Sequence, residues 1–236
     1  LRLCAPEDWV PQIEITTLAD VPAGTGLGSS SACACALIKA LNTFFFPEIH
    51  ETTYDLADNA CCLEMDILKE PIGKQDAYAS AFGGMTPFLI DEQGRVEAQP
   101  GIDWRIQENL ESRLLLYFTG YSRSASEILA PLAAGEFTDN LKHIHDLGRE
   151  MLGSIQRAEL WQIGGILAGQ YMLKCQRSLE QPQHIQDLYV RGITKGGAEG
   201  GKLVGAGGGG FLLFYTPDPE RLRAAMAGYA EELPFR

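Results

Sequence analysis

The stretch PAGTGLGSSSACACALIKALNTFFF, residues 22–46, has two parts of opposite character. Its first part crowds Gly24, Gly26 and Gly28 into five residues. Its second part, Ser29 to Phe46, is rich in small helix formers and holds no Gly or Pro, so it predicts a buried helix stopped by Pro47. Ahead of it, QIEITTL (Gln12 to Leu18) alternates apolar and polar residues at period two and predicts a half-buried strand. Strand, glycine loop and helix start thus follow one another. Such a loop presents unpaired backbone N–H groups and the positive end of a helix dipole, which suits a phosphate. The hydroxyls of Ser29, Ser30 and Ser31 add ligands for phosphate oxygens or Mg²⁺. The spacing is not that of a P-loop, which needs GxxxxGK followed by Ser or Thr. Nor is it a dinucleotide fingerprint, since GTGLGS gives only GxGxG and Glu48 follows a helix rather than a second strand. The remaining alternative is a plain tight turn before a core helix.

Composition narrows the setting. Of 236 residues 45% are apolar, and 19 basic against 31 acidic side chains leave a net charge of −12. That length predicts one or two domains with a sizeable core. The acidic balance argues against nucleic-acid binding, which needs a basic surface. No apolar run approaches a membrane span of about 18 residues, and Arg2, Glu7 and Asp8 interrupt Leu1 to Val10 where a signal peptide would be apolar. Six cysteines form no CxxC pair, so packed, reduced thiols in a cytoplasmic protein are expected rather than disulfides or zinc. Nine of the 26 glycines fall between Gly196 and Gly210, a density that marks close backbone approach rather than flexibility.

The rest of the chain alternates helical and strand patterns. Tyr54, Ala57, Cys61, Met65 and Leu68 predict one apolar face of a helix from Thr53 to Lys69, capped by Thr52 and closed by Pro71. Glu64 falls at the border of that face, where a carboxylate needs a cation or a metal. Pro71 to Gly84 leads through a loop into a short helix, and Leu114 to Gly120 predicts a buried strand. Asp139 to Ile155 and Leu160 to Cys175 are helical. Lys202 to Tyr215 predicts a strand, a glycine turn and a second strand, with a last helix after Pro219. A break in the polar stretch Gly101 to Ser112 predicts two α+β domains.

Four blocks in this order carry a resemblance. PAGTGLGSSSA (Pro22 to Ala32) resembles the phosphate-binding loop of the GHMP kinases, the superfamily of galactokinase, homoserine, mevalonate and phosphomevalonate kinases. KLVGAGGGGF (Lys202 to Phe211) resembles its C-terminal glycine motif. GKQDAYASAFGG (Gly73 to Gly84) and LLLYFTGYSRSASEIL (Leu114 to Leu129) are similar to its D-glycero-D-manno-heptose 7-phosphate kinase branch. The resemblance implies a two-domain α+β fold. Its parts are a ribosomal-protein-like β-α domain over residues 1–112, lacking its first strands, and a ferredoxin-like domain over 113–236. The family's early motif, which contributes to the sugar pocket, has no counterpart upstream of Gln12, which leaves the activity of this chain open.

The same resemblance implies transfer of the γ-phosphoryl group of ATP to a hydroxyl, at C1, of a phosphorylated heptose. Pro22, Gly24, Gly26, Leu27, Gly28 and Ser29 to Ser31 would cradle the triphosphate. Glu64 and Ser30 would hold Mg²⁺, with Ser29 as the alternative serine. Asp76, which follows Glu64 by the twelve-residue spacing seen in galactokinase-like members, would be the base, with Lys74 holding it ionised. Asp76 as a mere cap of a helix starting at Ala77 is the other reading. Arg123 and Ser122 are placed for the substrate's phosphate, and the turn with Gly205, Gly207 and Gly208 would close over the substrate. The implied partner is a small sugar phosphate, without nucleic acid or membrane, and a homodimer is compatible. Rival readings are a fucose- or galactose-type kinase, a catalytically silent sugar- or nucleotide-binding protein, and a Rossmann-type dinucleotide binder.

Overall fold

A computed structural model of the chain describes residues 12–22, 24–122, 138–177, 181–205 and 207–234. Contacts divide it into two compact units. One comprises Gly28–Thr86 with the chain ahead of residue 24, and the other comprises Gly24–Leu27 with the chain from Pro87 onward. The chain thus passes from one unit to the other at Thr86, inside the span 1–112 expected for the first domain. The polar stretch Gly101 to Ser112 contains most of a helix, α4 (Trp104–Arg113), capped by Asp103 and anchored by buried Leu110.

The first unit is helical over its described residues. Helix α1 (Ser29–Phe45) buries Ser31, Ala34, Cys35, Ile38 and Leu41 along one face. Helix α2 (Thr53–Cys61) starts in a capping box, with Thr52 and Asp55 satisfying each other's backbone N–H groups. It runs directly into a π-helical turn, Cys62–Ile67. That turn overturns part of the expected apolar face: Leu68 is exposed, whereas Ala57, Ala60, Cys61 and Glu64 are buried. A π turn takes more residues per revolution than an α turn, so the 3.6-residue phase is lost beyond Cys61. Helix α3 (Gln75–Phe82) closes the unit, its Cys35-facing end marked by a thiol hydrogen bond from Cys35 to the Ala77 carbonyl. Residues 12–18 form no strand. Ile13, Ile15 and Leu18 are exposed, Leu18 at 95%, and no described strand offers this segment a ladder, without which alternation alone cannot hold a strand.

The second unit is built on a four-stranded antiparallel sheet. Its strands are β3 (Leu114–Phe118), β4 (Gly200–Leu203), β5 (Phe211–Tyr215) and β6 (Glu231–Leu233), in the order β4-β5-β3-β6. Between β3 and β4 the described chain forms α5 (Thr138–Gln156), α6 (Ile163–Arg177) and α7 (Gln183–Thr194); α8 (Pro219–Met226) joins β5 to β6. This split β-α-β arrangement is the expected ferredoxin-like topology. A hairpin of β1 (Phe88–Ile90) and β2 (Val96–Ala98) precedes it. The core gathers Leu115, Tyr117, Ile185, Leu188, Leu203, Leu212, Phe214, Leu222 and Met226, all nearly inaccessible to solvent. The cysteines follow expectation only in part. The five within the described residues are free thiols, but Cys33 is exposed.

Candidate active site

Three glycines in the loop ahead of α1, Gly24, Gly26 and Gly28, have positive φ (73°, 80° and 68°). In the first unit Gly28 is the N-cap of α1. It offers no capping side chain, and no acidic residue stands in the helix's own first turn, so the carboxylates that meet this positive helix end come from elsewhere in the unit. The adjacent serines turn to a carboxylate instead. Ser30 Oγ donates to Glu64 Oε1 and Ser31 Oγ to Glu64 Oε2, each at 2.5 Å. Glu64 is only 1% exposed. It comes from the π turn, a local departure that occurs often at functional sites, and it is buried rather than at the border of an apolar face.

Asp76 joins this group from the first turn of α3. A methyl placed on Gly28 would lie 3.4 Å from Asp76 Cβ and 3.5 Å from its carboxyl carbon, so the carboxyl lies over the start of α1. Partial enclosure and the negative charge of Glu64 raise its pKa. Two expectations change here. Asp76 is not a cap, since the cap position is Lys74, which makes no capping hydrogen bond. Nor does Lys74 hold Asp76 ionised: the shift is upward, and the lysine's field is felt at Cys61, whose thiol burial nevertheless pushes up to about 11.

Two neighbouring carboxylates and two hydroxyls make an all-oxygen donor set, with no ion pair to Glu64 among the described residues. Hard cations such as Mg²⁺ favour such donors and keep several waters, so one or two protein ligands suffice. The residues therefore fit Mg²⁺, which Glu64 and Ser30 would hold; bound there, it would neutralise charge on phosphate oxygens.

In the second unit the segment Gly24–Leu27 packs on the C-terminal glycine turn. A methyl on Gly26 would lie 2.8 Å from the Val204 carbonyl oxygen, and one on Gly205 would collide with Gly26 Cα. Gly205, Gly207 and Gly208 have φ of 69°, 115° and 74°. The end of the turn is pinned from β3. Thr119 directs both its N–H and its hydroxyl to the Gly210 carbonyl (2.9 and 2.8 Å), and the Gly210 N–H donates to the Tyr121 carbonyl at 2.7 Å. Ser122, exposed, is the next residue; Arg123 lies outside the described residues. Pro22 and Gly24 are exposed, and Leu27 and Ser29 half-buried.

Lys174 on α6 escaped the sequence reading. Its Nζ donates to the Leu203 carbonyl at 2.7 Å and to that of Gly205. Burial first, then the charges of Lys202 and Arg177, bring its pKa down to about 7. Its only sequence signal is its place in the last turn of a helix with a weakly polar face.

Comparison with known proteins bears on this geometry. The GHMP kinases N terminal domain matches residues 2–84. The chain is 30% identical, over 93% of its length and 67% of the relative's, to D-glycero-alpha-D-manno-heptose 7-phosphate kinase of Campylobacter jejuni. It is 28% identical to L-fucokinase/L-fucose-1-P guanylyltransferase of Bacteroides fragilis, over 91% of the chain and 23% of that protein. The crystal structure of a D-glycero-D-manno-heptose 1-phosphate kinase from Bacteroides thetaiotaomicron superposes with a TM-score of 0.68 at 25% identity, over 92% of this chain and 62% of that one. The chain spans about two thirds of these relatives' length at most. No helix among the described residues is long and apolar enough to cross a membrane.

Proposed function

The chain belongs to the GHMP kinases, and on that premise we propose that it transfers the γ-phosphoryl group of ATP to a hydroxyl, at C1, of D-glycero-D-manno-heptose 7-phosphate. The observation that carries the reading is the buried Glu64 carboxylate, bracketed by Ser30 and Ser31 at the start of the helix that follows the glycine loop. Phosphoryl transfer asks for a phosphate cradle, a cation site and a group to take the acceptor's proton, and little covalent chemistry beyond that.

In this reading the backbone N–H groups of Gly24, Gly26, Leu27 and Gly28 would cradle phosphate oxygens, whose charge a helix N-terminus favours. Pro22 and Ser29 flank that cradle. Asp76 accepts the proton of the acceptor hydroxyl as its oxygen bonds to the γ-phosphorus, and ADP departs with the electron pair of the broken P–O bond. The raised pKa of Asp76 makes it a stronger base than an ordinary aspartate. Lys74 is kept as a screen for phosphoryl charge, and Ser122 and Arg123 as ligands of the sugar's phosphate, with Gly205, Gly207 and Gly208 closing over it. The division into domains at residue 112, Mg²⁺ at Glu64 and Ser30, and a cytoplasmic setting belong to the same reading.

ADP release by this chain with Mg-ATP, with and without D-glycero-D-manno-heptose 7-phosphate, tests it. Release is expected to depend on that sugar. Release with L-fucose but not with the heptose phosphate overturns the substrate, and release with neither overturns the activity of this chain.

A further inference from the structure

Helix α6 lies along β4 in the second unit, and the register of their contact can be followed residue by residue. Gly164 meets Gly200 so closely that a methyl on either would clash with the other's backbone or neighbours. Further along, Lys202 Nζ donates to the Gln170 side-chain oxygen at 2.9 Å. One helical turn later Lys174 reaches the Leu203 and Gly205 carbonyls, and its side-chain carbons lie beneath Gly207. Residues 170, 174 and 177 are spaced by four and three, so Arg177 continues the same face.

Three cations therefore gather where α6 meets the end of β4. Burial lowers the pKa of all three, and Lys202 and Arg177 lower that of Lys174 further by their charge. Their partners are neutral oxygens. No ion pair to Lys174, Arg177 or Lys202 occurs among the described residues, and Arg177 Nε is buried with no hydrogen-bond partner. Buried charges are ordinarily paired, because desolvating them is costly. In a chain of net charge −12, a cluster of cations beside a glycine turn with no ion pair among the described residues is out of character unless an anion completes it.

We propose that Lys174, Arg177 and Lys202 form a binding site for the dianion of a phosphate ester, next to the Gly205–Gly210 turn. Three donors arriving from a helix and a strand match the three terminal oxygens of a phosphate monoester better than the two of a carboxylate. The cation site stands without the kinase reading. Only the choice of ester rests on it: the acceptor's own phosphate is expected, and a nucleotide phosphate is the other source of the same chemistry.

The test is calorimetric titration of the chain, and of Arg177→Gln and the double variant Arg177→Gln/Lys202→Gln, with inorganic phosphate, heptose 7-phosphate and ATP in turn. Lys174 is left in place because it holds the turn, and melting curves check that the variants fold. Loss of charge-assisted hydrogen bonds is expected to weaken inorganic phosphate and heptose 7-phosphate by about 10- to 100-fold in the double variant, with an intermediate loss in Arg177→Gln and ATP unaffected. Weakening of inorganic phosphate and ATP with the sugar phosphate unaffected upholds the site and assigns it to the nucleotide. Equal affinity for inorganic phosphate in parent and double variant overturns the site, even if the chain phosphorylates sugar normally. Phosphate binding that depends on these residues in a chain that turns over no sugar upholds the site while the kinase reading fails.

Discussion

Glu64 and Asp76 are two carboxylates whose charges work against each other in the first unit. Glu64 is satisfied by two serine hydroxyls, and Asp76 responds by holding its proton more tightly than an ordinary aspartate. For a carboxyl whose folded pKa is raised, the ionised form is the disfavoured one. Its penalty is absent when the group is protonated and sets in as the pH rises through the folded pKa. Asp76→Asn removes both the base and the repulsion. The variant is expected to lose about 10²- to 10⁴-fold in kcat while melting no lower than the parent at pH 7 to 8. The difference in melting should vanish on acidification to about pH 4, near the ordinary aspartate value. Turnover and melting curves on the two proteins check both halves. A variant with unchanged kcat removes Asp76 from the chemistry, and one that melts clearly lower at pH 8 contradicts the repulsion.

At the scale of elements, the two glycine-rich segments differ from ordinary loops in being packed against each other within the second unit. Gly205 combines a positive φ of 69° with a Cα side that has no room for a methyl beside Gly26. Gly205→Ala thus meets a backbone penalty and a collision with main chain that cannot swing aside. A loss of about 2–4 kcal/mol is expected, measured by denaturant unfolding, together with weaker nucleotide binding. Gly73 is the control. It has no positive φ and nothing within 4 Å of a methyl, so Gly73→Ala should change stability by less than about 1 kcal/mol, in the stabilising direction if at all. The π turn after α2 belongs to the same scale. Thr52 and Asp55 predict where α2 begins, but no capping rule predicts where its hydrogen-bond register widens to bury Glu64.

At the scale of the whole molecule, a large buried cluster of the described residues gathers around the sheet of the second unit. Phe214 is fully buried at its centre, with Tyr117 and Tyr189 rings at 6.2 and 5.8 Å. Phe214→Ala should cost about 3–5 kcal/mol, a large share of the roughly 5–15 kcal/mol of a typical domain. The expected result is a marked drop in the thermal midpoint. Leu18, 95% exposed, provides the contrast, since Leu18→Ala should leave the midpoint within about 1 °C. An equal loss in both would mean that residues 12–18 bury against the fold.

By itself the sequence determined what depends on neighbours in the chain. The glycine loop feeding α1, the Thr52 cap, the strands around Leu116 and Leu213, and the helix opening at Pro219 all follow from local pattern, because backbone preference and periodicity act over a few residues. Tertiary structure alone decided the rest. Among the described residues it left 12–18 without a partner strand, and it folded Trp104–Arg113 of the polar stretch into a helix. It also buried Glu64 and set its charge against Asp76. Most of all, it drew Lys174, Arg177 and Lys202 together from a helix and a strand about 25 residues apart in sequence. Desolvation and Coulomb interaction depend on distance in space, and a linear pattern contains no such distance.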